Sequence, residues 1–365
     1  MRTPAVKIVV AFVLAAATLA QPVRGSAREP ALRFSRNMPV SQAMAERVRF
    51  WIDVFTRVSH ARAVLHDRDD PTLVYDVVPY GPGGDPTPVE AARASYQHLL
   101  GTMATAGLTE ALSPPSLERM RVKAMFGERA GPTAYFRAIG NIRAQRGMKE
   151  PFGNGLVRAE LYLPAIRRIF READLPPELV YLPHVESSFN PTAVSRAGAV
   201  GLWQFTRATY EQYVKGEERT DGRLDPVRSS QVAAQHLTRA YGVLGSWPLA
   251  VASYNHGVAG IARARAAVGA DSLDDIVRGY DGESFGFASQ NFYAEVLAAA
   301  HVATHVDHYF PDLPQPPVMQ YVVRPGDSLW TIARRHRVSV RDITAANNLG
   351  GSRLKTGQLI VIKTS

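Results

Sequence analysis

Between residues 41 and 69 the apolar side chains Met44, Val48, Trp51, Ile52, Phe55 and Val58 recur on one helical face. Residues 73–80 read as a short extended piece, and YGPGGDPTP (80–88) as a turn-rich break. From Val89 to Met148 the helical pattern resumes, interrupted at Ser113-Pro114-Pro115 and at Gly131-Pro132. LVRAELYLPAIRRIFREA (156–173) predicts one amphipathic helix, and Pro176-Pro177 before an apolar run predicts the start of another. Helical periodicity returns at 225–244, 247–268 and 287–306. PDLPQPP (311–317) has the composition of a semi-rigid linker. Beyond it, 321–363 changes character to strand, helix, helix, strand. Residues 21–40, polar with Pro and Arg, read as a loose lead-in.

Composition narrows the function. The chain has 365 residues, 46% of them hydrophobic and 21% charged, which suits two or three globular domains. A formal net charge of +9 favours an anionic partner. Nucleic acid is not expected, because Lys-rich and aromatic-interleaved basic signatures are missing. With no cysteine, disulfides, thiolate zinc sites, a Cys nucleophile and a lipid anchor on an N-terminal Cys are all excluded. Arg2 and Lys7 precede an apolar run from Ile8 to Ala20, too short for a comfortable membrane span. Small residues follow, so residues 1–20 read as a secretory signal, with 27 as the alternative end. The expected location is an exported one, periplasmic or at the cell wall, with membrane attachment only if the signal is retained.

The chemistry centres on LPHVESSFNPTAVSRAGAVGLWQF (182–205), where Glu186 is followed by no other acidic residue until Glu211. If Pro176-Pro177 open a helix, Glu186 falls in its last turn, ahead of Asn190-Pro191. The negative helix end and the neighbours Leu182, Val185 and Phe189 would both disfavour ionisation. A carboxylic acid still protonated near neutral pH is what cleavage of a glycosidic bond needs. Locally, the same residue could equally be a surface glutamate at a helix end. His184 and His256 suggest neither a metal site nor a triad, since no second ligand has motif spacing and no serine sits in an elbow pattern. No cofactor is expected.

Four ordered motifs resemble those of the lytic murein transglycosylases, and most closely the membrane-bound D type: Glu186-Ser187, Gly201-Leu202-Trp203-Gln204, Tyr254-Asn255, and Tyr293 within FASQNFYAEVLAA. The stretches VRFWIDVFTRVSHARAVLHD and RAELYLPAIRRIFREADLPPELVYLPHVESSFNP are also similar to that group. The resemblance implies a mainly α architecture: a lysozyme-like catalytic domain (156–308) with a helical N-terminal extension (41–150). It implies Glu186 as general acid and then general base. It also implies substrate contacts from Ser187, Ser195 on the N-acetyl group, Gln204, Tyr254 and Asn255, with Tyr293 orienting Glu186. In the last motif Ser289-Gln290 stands where many relatives carry an acidic residue and Thr.

After a linker at 311–318, residues 320–363 resemble a LysM domain, a small βααβ module. Val322-Val323 and Leu359-Ile360-Val361 are its expected strands. Gly326, Asp327, Asn347, Asn348 and Leu349 lie in the loops where such modules hold N-acetylglucosamine chains. The resulting expectation is non-hydrolytic cleavage of the MurNAc-β-1,4-GlcNAc bond of peptidoglycan, leaving 1,6-anhydro-MurNAc ends. A lysozyme-like peptidoglycan or chitin hydrolase, in which Glu211, Asp221 or Asp225 folds back as a second acid, and a non-catalytic wall-binding protein are the alternatives.

Overall fold

A computed structural model of the chain describes residues 29–105, 116–214, 221–313, 318–336, 338–347, 349, 351 and 353–363. The signal segment, residues 314–317 of the linker and Asn348 lie outside the described residues. No described helix is long and apolar enough to cross a membrane.

The first half is less helical than its apolar pattern suggests. Helix α1 (Gln42–Thr56) opens with Ser41 accepting from the Met44 amide, a side-chain cap. Strands β1 (Arg62–Asp67) and β2 (Val74–Pro79) follow, then helices α2 (Thr87–Thr105), α3 (Leu117–Phe126) and α4 (Pro132–Ile139), and strand β3 (Ile142–Arg146). The three strands form one antiparallel sheet in the order β2-β1-β3. Strand β2 falls on the extended piece expected at 73–80, while β1 and β3 lie where the apolar pattern had suggested helix. Side chains alternate across β1 with the period of two that any strand has. Ala63 and Leu65 enter a small core with Tyr75, Tyr96, Leu100 and Phe126, while Val64 enters the main core on the other side. A strand buried on both faces has no polar alternation, so its sequence does not separate it from a buried helix.

The main core is helical: α5 (Lys149–Ala159), α6 (Leu163–Glu172), α7 (Leu182–Ser187), α8 (Arg207–Glu211), α9 (Pro226–Leu244), α10 (Trp247–His256), α11 (Val258–Val268), α12 (Leu273–Gly279), α13 (Phe287–Thr304) and α14 (Val306–Tyr309). The single helix expected over 156–173 is two, because Pro164 sits in the first turn of α6 and cannot continue the ladder of α5. Likewise 247–268 divides at Gly257, whose φ of 81° no helix accommodates. Helix α13 is buried on nearly every side, packed against α1, α7 and α10.

The described part of the lead-in, 29–40, is not loose. Ser35 donates from its amide and hydroxyl to the two carboxylate oxygens of Glu178 at 2.5 and 2.9 Å, and Met38 is fully buried.

The C-terminal module consists of β4 (Val318–Val322), α15 (Leu329–His336), α16 (Val340–Ala346) and β5 (Leu359–Lys363), the two strands antiparallel. Strand β4 begins before the expected Val322-Val323 pair, with Tyr321 opposite Ile360. Gln320 donates to the carbonyls of Glu160 and Leu161, which ties this module to the turn between α5 and α6.

Candidate active site

Glu186 lies in the last turn of α7, as its position before Asn190-Pro191 predicts. Ser188 and Phe189 then take left-handed φ values of 49° and 55°, which ends the helix abruptly. Arg158 of α5 donates twice to the Ser188 carbonyl, at 2.7 and 3.0 Å, and so satisfies the helix end. Among the described residues no hydrogen bond reaches the Glu186 carboxyl. The side chain is half-buried, and burial pushes its pKa up to about 8. Of the two causes expected from the sequence, burial is the one that operates, because α7 has only six residues and a cation covers its carboxyl end.

A strand-like loop from Ala193 to Phe205 lies against α7, pinched by bridges of Val200 with Val194 and with Phe205. Ser187 is part of the frame: its hydroxyl donates to the Leu202 carbonyl at 2.8 Å, binding α7 to the loop. Trp203 is fully buried, stacked on Phe170 and donating to Ser230 at 2.8 Å. Gln204, at a φ of 48°, donates its side-chain amide to the Gly201 and Ala193 carbonyls, which leaves its side-chain oxygen as an acceptor. Ser195 accepts from the Ala199 amide at 3.0 Å and keeps its own proton to donate.

Helix α10 supplies the opposite wall. Tyr254 donates to the Trp203 carbonyl at 2.8 Å and stacks parallel on Phe292. Burial, and then the charge of Glu186, raise its phenol well above the usual tyrosine range, so it stays a neutral donor. Asn255 is exposed, and its oxygen accepts from Ser289 at 2.9 Å. Ser289 thus steadies Asn255 from the place where the resemblance would put a carboxylate. Tyr293 does not orient Glu186: its hydroxyl donates to the Pro39 carbonyl at 2.9 Å, fastening the lead-in to α13.

The three acids expected as alternatives for a second carboxyl have other work. Asp221 pairs with Arg223 at 2.6 Å, which holds its carboxyl below the usual range. Asp225 caps α9 through the Val227 and Arg228 amides, and Glu211 faces Arg207. The carboxyl that tertiary structure does couple to Glu186 is Glu295 on α13, pushed up to about 8 by burial and then by the Glu186 charge, against the pull of Arg143. Sequence reasoning missed it. Its one signal was an acid in the middle of the apolar run of α13. His184 is a core residue, stacked on Phe152 and lowered to about 3 by burial.

In the C-terminal module the described side chains predicted for the loops, Asp327, Asn347 and Leu349, are engaged within the module. Asp327 accepts from Tyr321 and from the Arg324 amide at 2.6 and 2.8 Å. Asn347 joins α16 to β5 by exchanging hydrogen bonds with both backbone groups of Val361. Leu349 packs on this module's own core of Leu329, Ile332 and Ile343, and Gly326 turns at a φ of 83°.

Comparison with known proteins follows the same division. Residues 165–276 match the family described as Transglycosylase SLT domain, and 321–363 match the LysM domain. Membrane-bound lytic murein transglycosylase D of Escherichia coli K12 is 25% identical, over 56% of this chain and 64% of its own length. The match thus spans just under two thirds of that relative. A putative tributyltin chloride resistance protein of Alteromonas sp. M-1 is 36% identical, over 29% of this chain and 53% of its own. Membrane-bound lytic murein transglycosylase C of Actinobacillus pleuropneumoniae serotype 5b is 39% identical, over 19% of each chain. This chain carries a transglycosylase SLT domain followed by a LysM domain. It is homologous to membrane-bound lytic murein transglycosylase D.

Proposed function

We propose that this protein is an exported peptidoglycan lytic transglycosylase that cleaves the MurNAc-β-1,4-GlcNAc bond without water. The observation that carries this reading is Glu186: a carboxyl with no hydrogen bond among the described residues, held protonated at neutral pH by burial, between a pinched loop and Tyr254-Asn255. The Glu186 proton passes to the glycosidic oxygen as the C1–O bond breaks. The acetamido oxygen of the same sugar stabilises the oxocarbenium-like centre, oriented by the Ser195 hydroxyl and the Asn255 amide. Gln204 accepts from a sugar hydroxyl. Glu186, now a carboxylate, takes the proton of the sugar's C6 hydroxyl as O6 bonds to C1. An internal nucleophile has an effective concentration that bulk water does not match. Peptidoglycan, anionic where this chain carries +9, is the partner, and the periplasm or cell wall the place.

Digestion of purified sacculi in heavy-oxygen water tests this. Products are expected to end in unlabelled 1,6-anhydro-MurNAc, one water lighter than reducing-end muropeptides. The alternative is hydrolysis, and Glu295 is the observation in its favour, since paired carboxyls also activate water. Mainly labelled, reducing ends would establish that alternative.

The LysM domain is proposed to raise the local concentration of the catalytic domain on insoluble wall. Truncation after Pro317 is expected to leave turnover of short soluble muropeptides nearly unchanged and to weaken retention on sacculi. Loss of turnover on the soluble substrate would assign the module a structural role through its Gln320 contact.

A further inference from the structure

His256, the last residue of α10, folds its ring back onto the helix that follows. Gly257 turns the chain at a φ of 81°, and α11 begins at Val258. The ring edge then lies against Gly260 in the first turn of α11: a Cβ there would come within 2.5 Å of Cδ2 and 2.8 Å of Nε2. Phe285, fully buried, meets the ring edge to face with the centroids 5.0 Å apart. The other ring nitrogen, Nδ1, stands 3.3 Å from the hydroxyl of Ser289 on α13. That hydroxyl is also 2.9 Å from the side-chain oxygen of Asn255. His256, Ser289 and Asn255 thus form one hydrogen-bonded row, with Ser289 buried and Asn255 exposed at the cleft wall.

A serine hydroxyl has one proton to give. If Ser289 spends it on the Asn255 oxygen, Nδ1 of His256 must be a donor, and the Asn255 amide nitrogen is left to the cleft. If Ser289 spends it on Nδ1, Asn255 can meet Ser289 only with its amide nitrogen, and its oxygen turns to the cleft instead. The tautomer of His256 therefore decides which end of Asn255 a substrate meets. Burial, and then the charge of Arg263, lower the His256 pKa, so at neutral pH the ring is neutral and carries a single N–H. Nε2 lies at the N-terminal end of α11, where the helix dipole is positive and the first backbone N–H groups have no intrahelical acceptor. That end favours a lone pair on Nε2, and so places the proton on Nδ1. The Ser284 carbonyl is the competing acceptor for a ring N–H.

We propose that His256 is a positioning residue: its Nδ1–H donates to Ser289, which turns the Ser289 proton onto Asn255 and presents the Asn255 amide to the acetamido oxygen of the reacting sugar. This rests on the reading of Asn255 as an acetamido donor. No proton is transferred along the row; its polarity alone is fixed.

The test compares kcat and KM on a soluble muropeptide. His256→Ala and Ser289→Ala are each expected to lower kcat about tenfold with KM little changed, because the acetamido contact strengthens as charge develops at C1. His256→Asn, which sets an amide N–H near the place of Nδ1, is expected to restore most of that loss. Gly260→Ala displaces the ring while suiting a helix better than glycine, so kcat should fall without a lower Tm. In an Asn255→Ala background His256→Ala should lower kcat no further, since the row then has no end to orient. Nitrogen NMR of the ring at neutral pH, assigned by difference against His256→Asn, is expected to show a protonated Nδ1 and a bare Nε2. A proton on Nε2, a wild-type kcat in His256→Ala, or an additive loss in the Asn255→Ala background overturns the proposal. Should His256→Ala not fold, Gly260→Ala and the wild-type nitrogen spectrum give the same decision. A fully active Asn255→Ala variant would overturn the reading of Asn255 and the relay with it. A slow Asn255→Ala beside a normal His256→Ala would overturn the relay alone.

Discussion

Glu186→Gln is expected to lower activity on sacculi by at least ~10²–10⁴, the range typical of a lost general acid–base group. Glutamine has the same shape but no transferable proton, so fold and glycan retention persist. Near-normal activity would remove Glu186 from the mechanism. The same variant carries a stability signature. The folded pKa of Glu186 is raised from 4.5 to about 8, so the native state binds its proton more tightly than the unfolded chain. The wild type therefore loses stability as pH rises from the unfolded value through about 8, where the carboxylate must exist in its buried site. A glutamine at this position does not ionise and carries no such penalty. The variant is expected to melt above the wild type at pH 8, and at the same temperature near pH 4. Equal melting at both would mean that the carboxyl is solvated in the native state.

Gly201→Ala is expected to have the largest effect away from the acid itself. Gly201 has a φ of 80°, and an added Cβ would lie 2.2 Å from the Arg223 carbonyl oxygen. The dihedral alone costs about 1–3 kcal/mol in a residue with a side chain. Relieving the overlap must also move a backbone segment that Arg223 secures, since its guanidinium donates to the Gly198 and Phe205 carbonyls while paired with Asp221. A total loss of roughly 2–5 kcal/mol is expected in a denaturant melt. Activity should fall with it even where the protein remains folded, because the loop that carries Ser195 and Gln204 shifts away from Glu186. A variant as stable and active as the wild type would show that the loop is not pinched as described.

Legibility in the sequence tracked how local each feature is. Glu186, the Gly201–Gln204 loop and Tyr254-Asn255 come together in one cleft, and each could be named from a short motif. Gly201 and Gln204 declare themselves because a tight loop needs particular residue types at fixed offsets. The roles inside the motifs were less legible. Ser187, Asp327 and Asn347 look like ligand-facing polar residues, yet each is engaged with backbone. Whether a hydroxyl or amide faces solvent or a carbonyl depends on chain segments distant in sequence. Tyr293 is the plainest case, since its partner is the Pro39 carbonyl at the far end of the chain.

By itself, then, the sequence determined the order of the parts: helical segments with caps and prolines at their ends, a βααβ module, and an acid at the close of a short apolar helix. These depend on periodicity and on residues within a few positions of one another. Only the tertiary structure decided that the extension contains a sheet, because β1 is buried on both faces and so lacks the alternation that marks a strand. Only the tertiary structure decided which other carboxyl feels the charge of Glu186. Asp221 and Asp225 are nearer in sequence, but an ion pair and a helix cap consume them. Glu295 is reached because α7 packs on α13, where burial and then the Glu186 charge push its carboxyl up against the pull of Arg143.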